Sequence, residues 1–393
     1  MVIQKKLKDN PKASGPDVRV HGAFVASRFR RVQRIDGYLW ALALVAVIAV
    51  GAVAAALGSD QKDFFSAHVG KLATTILVLS VYMGLSLLYM LTSVHRDVTW
   101  CLSQRRPFMG SSSAISASKA EVRASRVFVL VLISGAIYSL YGLVTGVWDE
   151  QALVKILVFT AVPLSLCYQA NRVSLEQQPT LLDGLAVASI WLPFNFGLLE
   201  SIWTWPQGKA AYIVNTPLAM AVALVGFVSI RRFSLTGIRF QLSWSQLKTV
   251  LVCLVLLMLI AIPVGLSSGF LEFNPRFALS KLFMTPLGIF FFIALPEELL
   301  FRGIIYGMFV REFARRGFGP RKSLIVALVV SSLLFGISHW HDFGPPPVIY
   351  ISLATVAGLF YGWTYTKTGS LTAAVLLHTL VDTLWEWFFH AGS

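Results

Sequence analysis

Charge is what this sequence has least of. Asp, Glu, Lys and Arg make up 13% of its 393 residues, about half the share typical of a soluble globular chain. Cysteine is scarcer: Cys101, Cys167 and Cys253 lie far apart with no CxxC pair, so neither a disulfide framework nor a thiolate zinc site is suggested. HExxH is absent, and no repeat of 20–50 residues divides the chain into matching halves. A net charge of +14 could point to nucleic acid. The basic residues flank apolar runs, however, and form no patch with interleaved aromatics, so nucleic acid is not an expected partner.

What is abundant is apolar. The set AVILMFWYC supplies 56% of residues and the mean hydropathy is +0.70, more than one soluble core can absorb. At about 20 apolar residues per crossing the expectation is an all-α, polytopic transmembrane helix bundle of about 11 spans. The apolar runs lie near 38–58, 72–94, 127–148, 153–170, 181–203, 210–230, 249–267, 279–301, 323–341, 347–366 and 370–390. They give four regions: a basic tail (1–37), a six-span part (38–232), a polar interfacial linker (233–248) and a five-span part (249–393). The tail is too long and charged for a usual signal peptide. The Ala54–Ala56 site at the end of the first span is secondary, and that span reads as a signal anchor.

Orientation follows from the Lys/Arg bias of the loops. With a cytoplasmic N-terminus and alternating spans, the inner segments hold 26 basic residues, set against Lys62, Lys209 and Arg276 outside. The expected N-terminus is therefore cytoplasmic and the C-terminus external, in a multi-pass protein of the bacterial cytoplasmic membrane.

Ionisable residues inside spans are costly, about 2.5–3.5 kcal/mol each near the bilayer centre on insertion scales. The first six spans hold almost none, with Asp183 near an end, and the C-terminal third holds nearly all of them. Span eight reads FFIALPEELLFRGIIYGMF. Glu298 and Arg302 stand i,i+4 and form an ion pair. Glu297, rotated by about 100°, faces elsewhere without a local partner and is free for chemistry. Pro296 would kink the helix beside them. Span nine places Phe335 and His339 at i,i+4, and span eleven does the same for His378 and Asp382. At ~1.5 Å per residue, Glu297, His339 and His378 lie roughly 21, 25 and 14 Å from the inner ends of their spans, so one cavity can collect all three.

PEELLFR matches EExxxR, FGISH matches FxxxH and HTLVD matches Hxxx(N/D), in this order on successive apolar segments. Over about residues 280–385 the chain resembles the CPBP family of intramembrane proteases, which includes type II CAAX prenyl endopeptidases and bacteriocin-processing or self-immunity proteins. The resemblance implies that Glu297 is the catalytic glutamate, with His339 its partner in activating water. It implies that His378 and the residue four later stabilise the oxyanion, with Glu298, Arg302 and Phe335 in support. Asp382 departs from the prenyl endopeptidases, which have Asn there. An ionised carboxylate cannot donate a hydrogen bond, so orienting His378 is the safer role for Asp382.

The residues themselves suit this chemistry. A glutamate in a partly apolar cavity can act as general base, and an imidazole can stand where oxyanion charge develops. Glu, His and His also suit zinc, but the resemblance implies a metal-free glutamate mechanism, and no cofactor is expected. The expected partners are the lipid bilayer and a membrane-embedded or lipid-anchored protein or peptide substrate. Blander readings are an intramembrane scaffold or self-immunity protein, and a proton-coupled transporter, whose relays use the same residue types. His341 and Asp342 read as loop residues at the outer boundary. Gly303/Gly307 and Gly358/Gly362 read as helix-packing sites, and Trp385, Trp387, Phe388 and Phe389 as an interfacial aromatic belt.

Overall fold

A computed structural model of the chain describes residues 67–103, 125–174, 178–205, 210–233, 242–276, 282–340 and 347–391. The basic tail, the first expected span, most of the 95–126 loop, residues 234–241 of the linker, and His341 with Asp342 lie outside the described residues. The elements are α1 (Val69–Ser103), α2 (Ser125–Thr145), α3 (Glu150–Val173), α4 (Leu181–Asn195), α5 (Ala210–Ala223, continued by a π-helical stretch, Leu224–Ile230) and α6 (Trp244–Ser267). After the short strand β1 (Leu271–Phe273) come α7, which begins at Met284 and ends at Arg315, α8 (Pro320–Ser338), α9 (Pro347–Thr368), α10 (Leu371–Phe388) and β2 (Phe389–Ala391). Seven described helices, α1, α2, α3, α5, α6, α8 and α9, contain stretches long and apolar enough to cross a membrane. The chain is an all-α integral membrane protein.

Two expected boundaries shift. The linker ends early, because Ser243 and Gln246 form a reciprocal capping box that starts α6 at Trp244. The run 181–203 is helical only to Asn195, roughly 22 Å at 1.5 Å per residue, short of the ~30 Å hydrocarbon core. Beyond it the chain turns at Gly197, whose φ of +62° suits glycine, and tucks Trp203 into the bundle. The Trp203 indole donates to Asn215 Oδ1 (2.8 Å) and packs edge-on to Tyr141, with ring centroids 4.9 Å apart. A buried indole N–H requires such a partner, and Asn215 supplies it.

Contacts at the helix ends agree with alternating crossings. At one end Lys155 donates to Ser201 (2.7 Å), Lys71 stands beside Gly146, and β1 pairs antiparallel with β2. Lys71, which immediately precedes the second apolar run, is a fourth cation on the side read as outer, beside Lys62, Lys209 and Arg276. At the other end Gln246 donates to the Thr368 carbonyl (3.1 Å), and Tyr306 and Thr366 share a hydrogen bond (3.2 Å). Also at this end, which the charge bias reads as inner, buried Asp183 pairs with buried Arg231, which donates to the Ser174 and Gln178 carbonyls as well. Asp183, legible in sequence only as a charge near a span end, thus has a partner 48 residues away.

Candidate active site

The site is built on α7, which is irregular where its motif lies. Phe290–Ala294 and Leu299–Ile305 are π-helical, on either side of a regular turn, Leu295–Glu298. Pro296 in that turn offers no N–H and its ring crowds the carbonyl four residues back. Wider turns on either side let the helix run on, and such bulges are frequent at functional sites.

Glu298 and Arg302 are fully buried, and Oε1 accepts from Nη1 at 2.9 Å, the pairing their spacing predicts. Arg302 Nη2 also donates to the Gly358 carbonyl of α9 (2.9 Å), and its guanidinium lies 4.4 Å from the centre of the Phe335 ring. Glu298 Oε1 further meets His378 Nδ1 at 3.0 Å, a contact no local spacing announces. His378 Nε2 lies 3.3 Å from Asp382 Oδ2 and 3.9 Å from Glu297 Oε2. Glu297 therefore does not face away from the other polar groups, as its isolated helix position suggests. Both nitrogens of His378 face carboxylates, and only an imidazole donating from both satisfies two such acceptors.

His339 caps the C-terminus of α8, and its Nδ1 lies 2.8 Å from the Phe335 carbonyl, with Ser338 Oγ at 3.1 Å. A carbonyl only accepts, so Nδ1 carries the proton and a neutral His339 keeps its lone pair on Nε2. Phe335 touches both histidines edge-on, with ring centroids 4.8 Å from His339 and 5.8 Å from His378. Glu297, His339, His378, Asp382, Glu298, Arg302 and Phe335 thus belong to one connected cluster.

A cavity of about 240 Å³ opens beside it, lined by Glu297 and His339 and otherwise mostly by apolar groups. His378 and Asp382 are not among its lining residues. Much of the wall comes from the N-terminal part of the chain: Trp191, Phe194 and Asn195 of α4, and Thr216, Ala219 and Met220 of α5. Trp191 also meets Phe301 of α7 edge-on, with ring centroids 6.3 Å apart.

Residues 279–384 match the family model of type II CAAX prenyl endopeptidase Rce1-like proteins. The match covers about a quarter of the chain and supports its likeness to the CPBP type, a family of intramembrane CAAX-type proteases. Comparison with curated proteins and with solved structures finds no match.

Within the Rce1-like segment, sequence reasoning missed Tyr361, whose ring stacks on His378 at 4.5 Å and 18°. Its only signal is an aromatic residue between Gly358 and Gly362. These two glycines do mark close packing. A Cβ at Gly358 would stand 3.2 Å from Arg302 Nη2, Phe335 Cδ1 and Ser332 Cβ, and one at Gly362 would collide with Leu328. Gly336 is equally tight against Thr355, whereas a Cβ at Gly307 would meet open space, so close packing does not explain that glycine. Among the described residues, no three His, Cys, Asp or Glu side chains are grouped to hold a metal ion.

Proposed function

We propose that the Rce1-like segment is an intramembrane endopeptidase hydrolysing a peptide bond of a membrane-embedded or lipid-anchored protein or peptide, with Glu297 and His339 activating the water. The observation that supports this most is that both side chains line one largely apolar cavity. A water molecule there has few other polar groups to align it. His339 Nε2 accepts one of its hydrogens. Glu297, part-exposed at the cavity wall, removes the other as general base. The water oxygen adds to the scissile carbonyl carbon and the carbonyl oxygen becomes an oxyanion. When that intermediate collapses, the C–N bond breaks and the proton held by Glu297 passes to the leaving amine.

His378 is the group toward which the oxyanion charge develops. Its two N–H groups face Glu298 and Asp382, so what it offers the oxyanion is the positive charge of an imidazolium stacked on Tyr361. Asp382, an acceptor 3.3 Å from Nε2, orients His378. Glu298 and Arg302 fix α7 against α9.

The test compares the N- and C-termini of membrane and secreted proteins from cells carrying wild type or Glu297→Gln at equal protein levels. At least one protein is expected to gain a new terminus only with wild type. Identical termini in the two would overturn the reading.

A further inference from the structure

A second concave site lies away from this cluster, on the outer surface of the bundle between α6 and α9. It has a volume of about 390 Å³ and two chemically different ends. Lys248, Lys367 and the hydroxyls of Ser245 and Thr249 gather at the end read as cytoplasmic. Val252, Leu256, Phe360 and Trp363 form the other end. No carboxylate lines the groove, and neither lysine makes an ion pair among the described residues. The Gln246 bond to Thr368 ties the start of α6 to the end of α9, holding the two lysines at one level.

We propose that this groove binds one anionic phospholipid, its phosphate between Lys248 and Lys367 and an acyl chain along Val252, Leu256 and Trp363. A lysine that merely snorkels to the interface needs no groove. Here two unpaired lysines top an apolar channel. From Lys248 to Leu256 is eight residues, about 12 Å along the helix, most of one hydrocarbon leaflet at about 15 Å. A free phosphate would use only the lysine end, and a neutral lipid only the apolar end. An anionic lipid matches both, and basic pockets between helices on the cytoplasmic side are where such headgroups bind. Trp244, whose ring lies 5.7 Å from Lys248 Nζ, is exposed, as suits a ring placed at headgroup depth.

The proposal does not depend on proteolysis and is tested on the full chain in detergent by native mass spectrometry. Delipidated protein is offered phosphatidylglycerol or phosphatidylcholine, each with and without millimolar inorganic phosphate. One phosphatidylglycerol should stay bound where phosphatidylcholine is lost, and inorganic phosphate should not displace it. Lys248→Gln/Lys367→Gln should weaken retention at least about tenfold, from the loss of two near-surface charges. Val252→Trp, which keeps both charges and fills the channel, should weaken it too. Arg321→Gln/Lys322→Gln, at the same membrane face, should not. Equal retention of phosphatidylcholine, displacement by inorganic phosphate, or equal loss in the Arg321/Lys322 control would overturn the proposal. So would wild-type retention in the Lys248/Lys367 variant.

Discussion

Glu298 Oε1 and His378 Nδ1 stand 3.0 Å apart although 80 residues separate them, and the same oxygen also receives Arg302. One carboxylate oxygen therefore locks the catalytic-motif helix to α10. Its neighbour Glu297 is part-exposed at the cavity wall, with Oε2 3.9 Å from His378 Nε2. In the proposed mechanism the two adjacent glutamates divide the work between them.

That division predicts different failures. Glu297→Gln should lower cleavage at least about 10²-fold, the scale of a lost general base, while yield and melting temperature stay near wild type. Glu298→Gln should lower the yield of folded protein, because stranding buried Arg302 and His378 is worth about 3–5 kcal/mol. Size-exclusion profiles and thermal melts in detergent, run beside the cleavage assay, separate the two. Equal yields with equal activities would refute the assignment.

Asp382 tests the way His378 is held. Asp382→Ala removes the acceptor 3.3 Å from Nε2 and should cost most of the activity at unchanged yield. Asp382→Asn restores the amide found in the prenyl endopeptidases and should keep partial activity with an altered pH–rate profile. Both are measured with chelator present throughout, and wild-type activity is expected to survive it. Full activity of Asp382→Ala would remove this residue from the site, and loss of wild-type activity on chelation would require a metal.

Gly358 should be intolerant of even one methyl group. Its Cβ would press on Arg302 and on two side chains of α8 at 3.2 Å, so Gly358→Ala should lower the melting temperature and activity together, by about 1–3 kcal/mol for overpacking. Gly307→Ala, facing open space, should leave both unchanged.

The cavity wall offers a test of the N-terminal part. Ala219 of α5 lines the cavity from outside the Rce1-like segment. Ala219→Leu should fill part of its volume and raise KM or shift substrate preference, with Glu297 chemistry intact and yield near wild type. Unchanged kinetics would mean that substrate does not enter this space.

Single cysteines at Arg316 and Glu272, in a background without native cysteines, check orientation. Arg316→Cys should label from the cytoplasmic side and Glu272→Cys only from outside. The reverse pattern would invert the topology.

The amino-acid sequence by itself determined the all-α membrane class, the order of the apolar segments and the i,i+4 pairs Glu298–Arg302 and His378–Asp382. These are local properties of composition and helical periodicity. Tertiary structure alone decided that Glu298 grips His378, that Tyr361 stacks on it, and that α4 ends at Asn195 to let Trp203 fold inward. It also placed α4 and α5 over Glu297. The reason is that helices in lipid are apolar on every face, so hydropathy does not mark which face meets which neighbour. Partners on different helices are set by close approaches at residues such as Gly336 and Gly358, and by where buried polar groups can find one another.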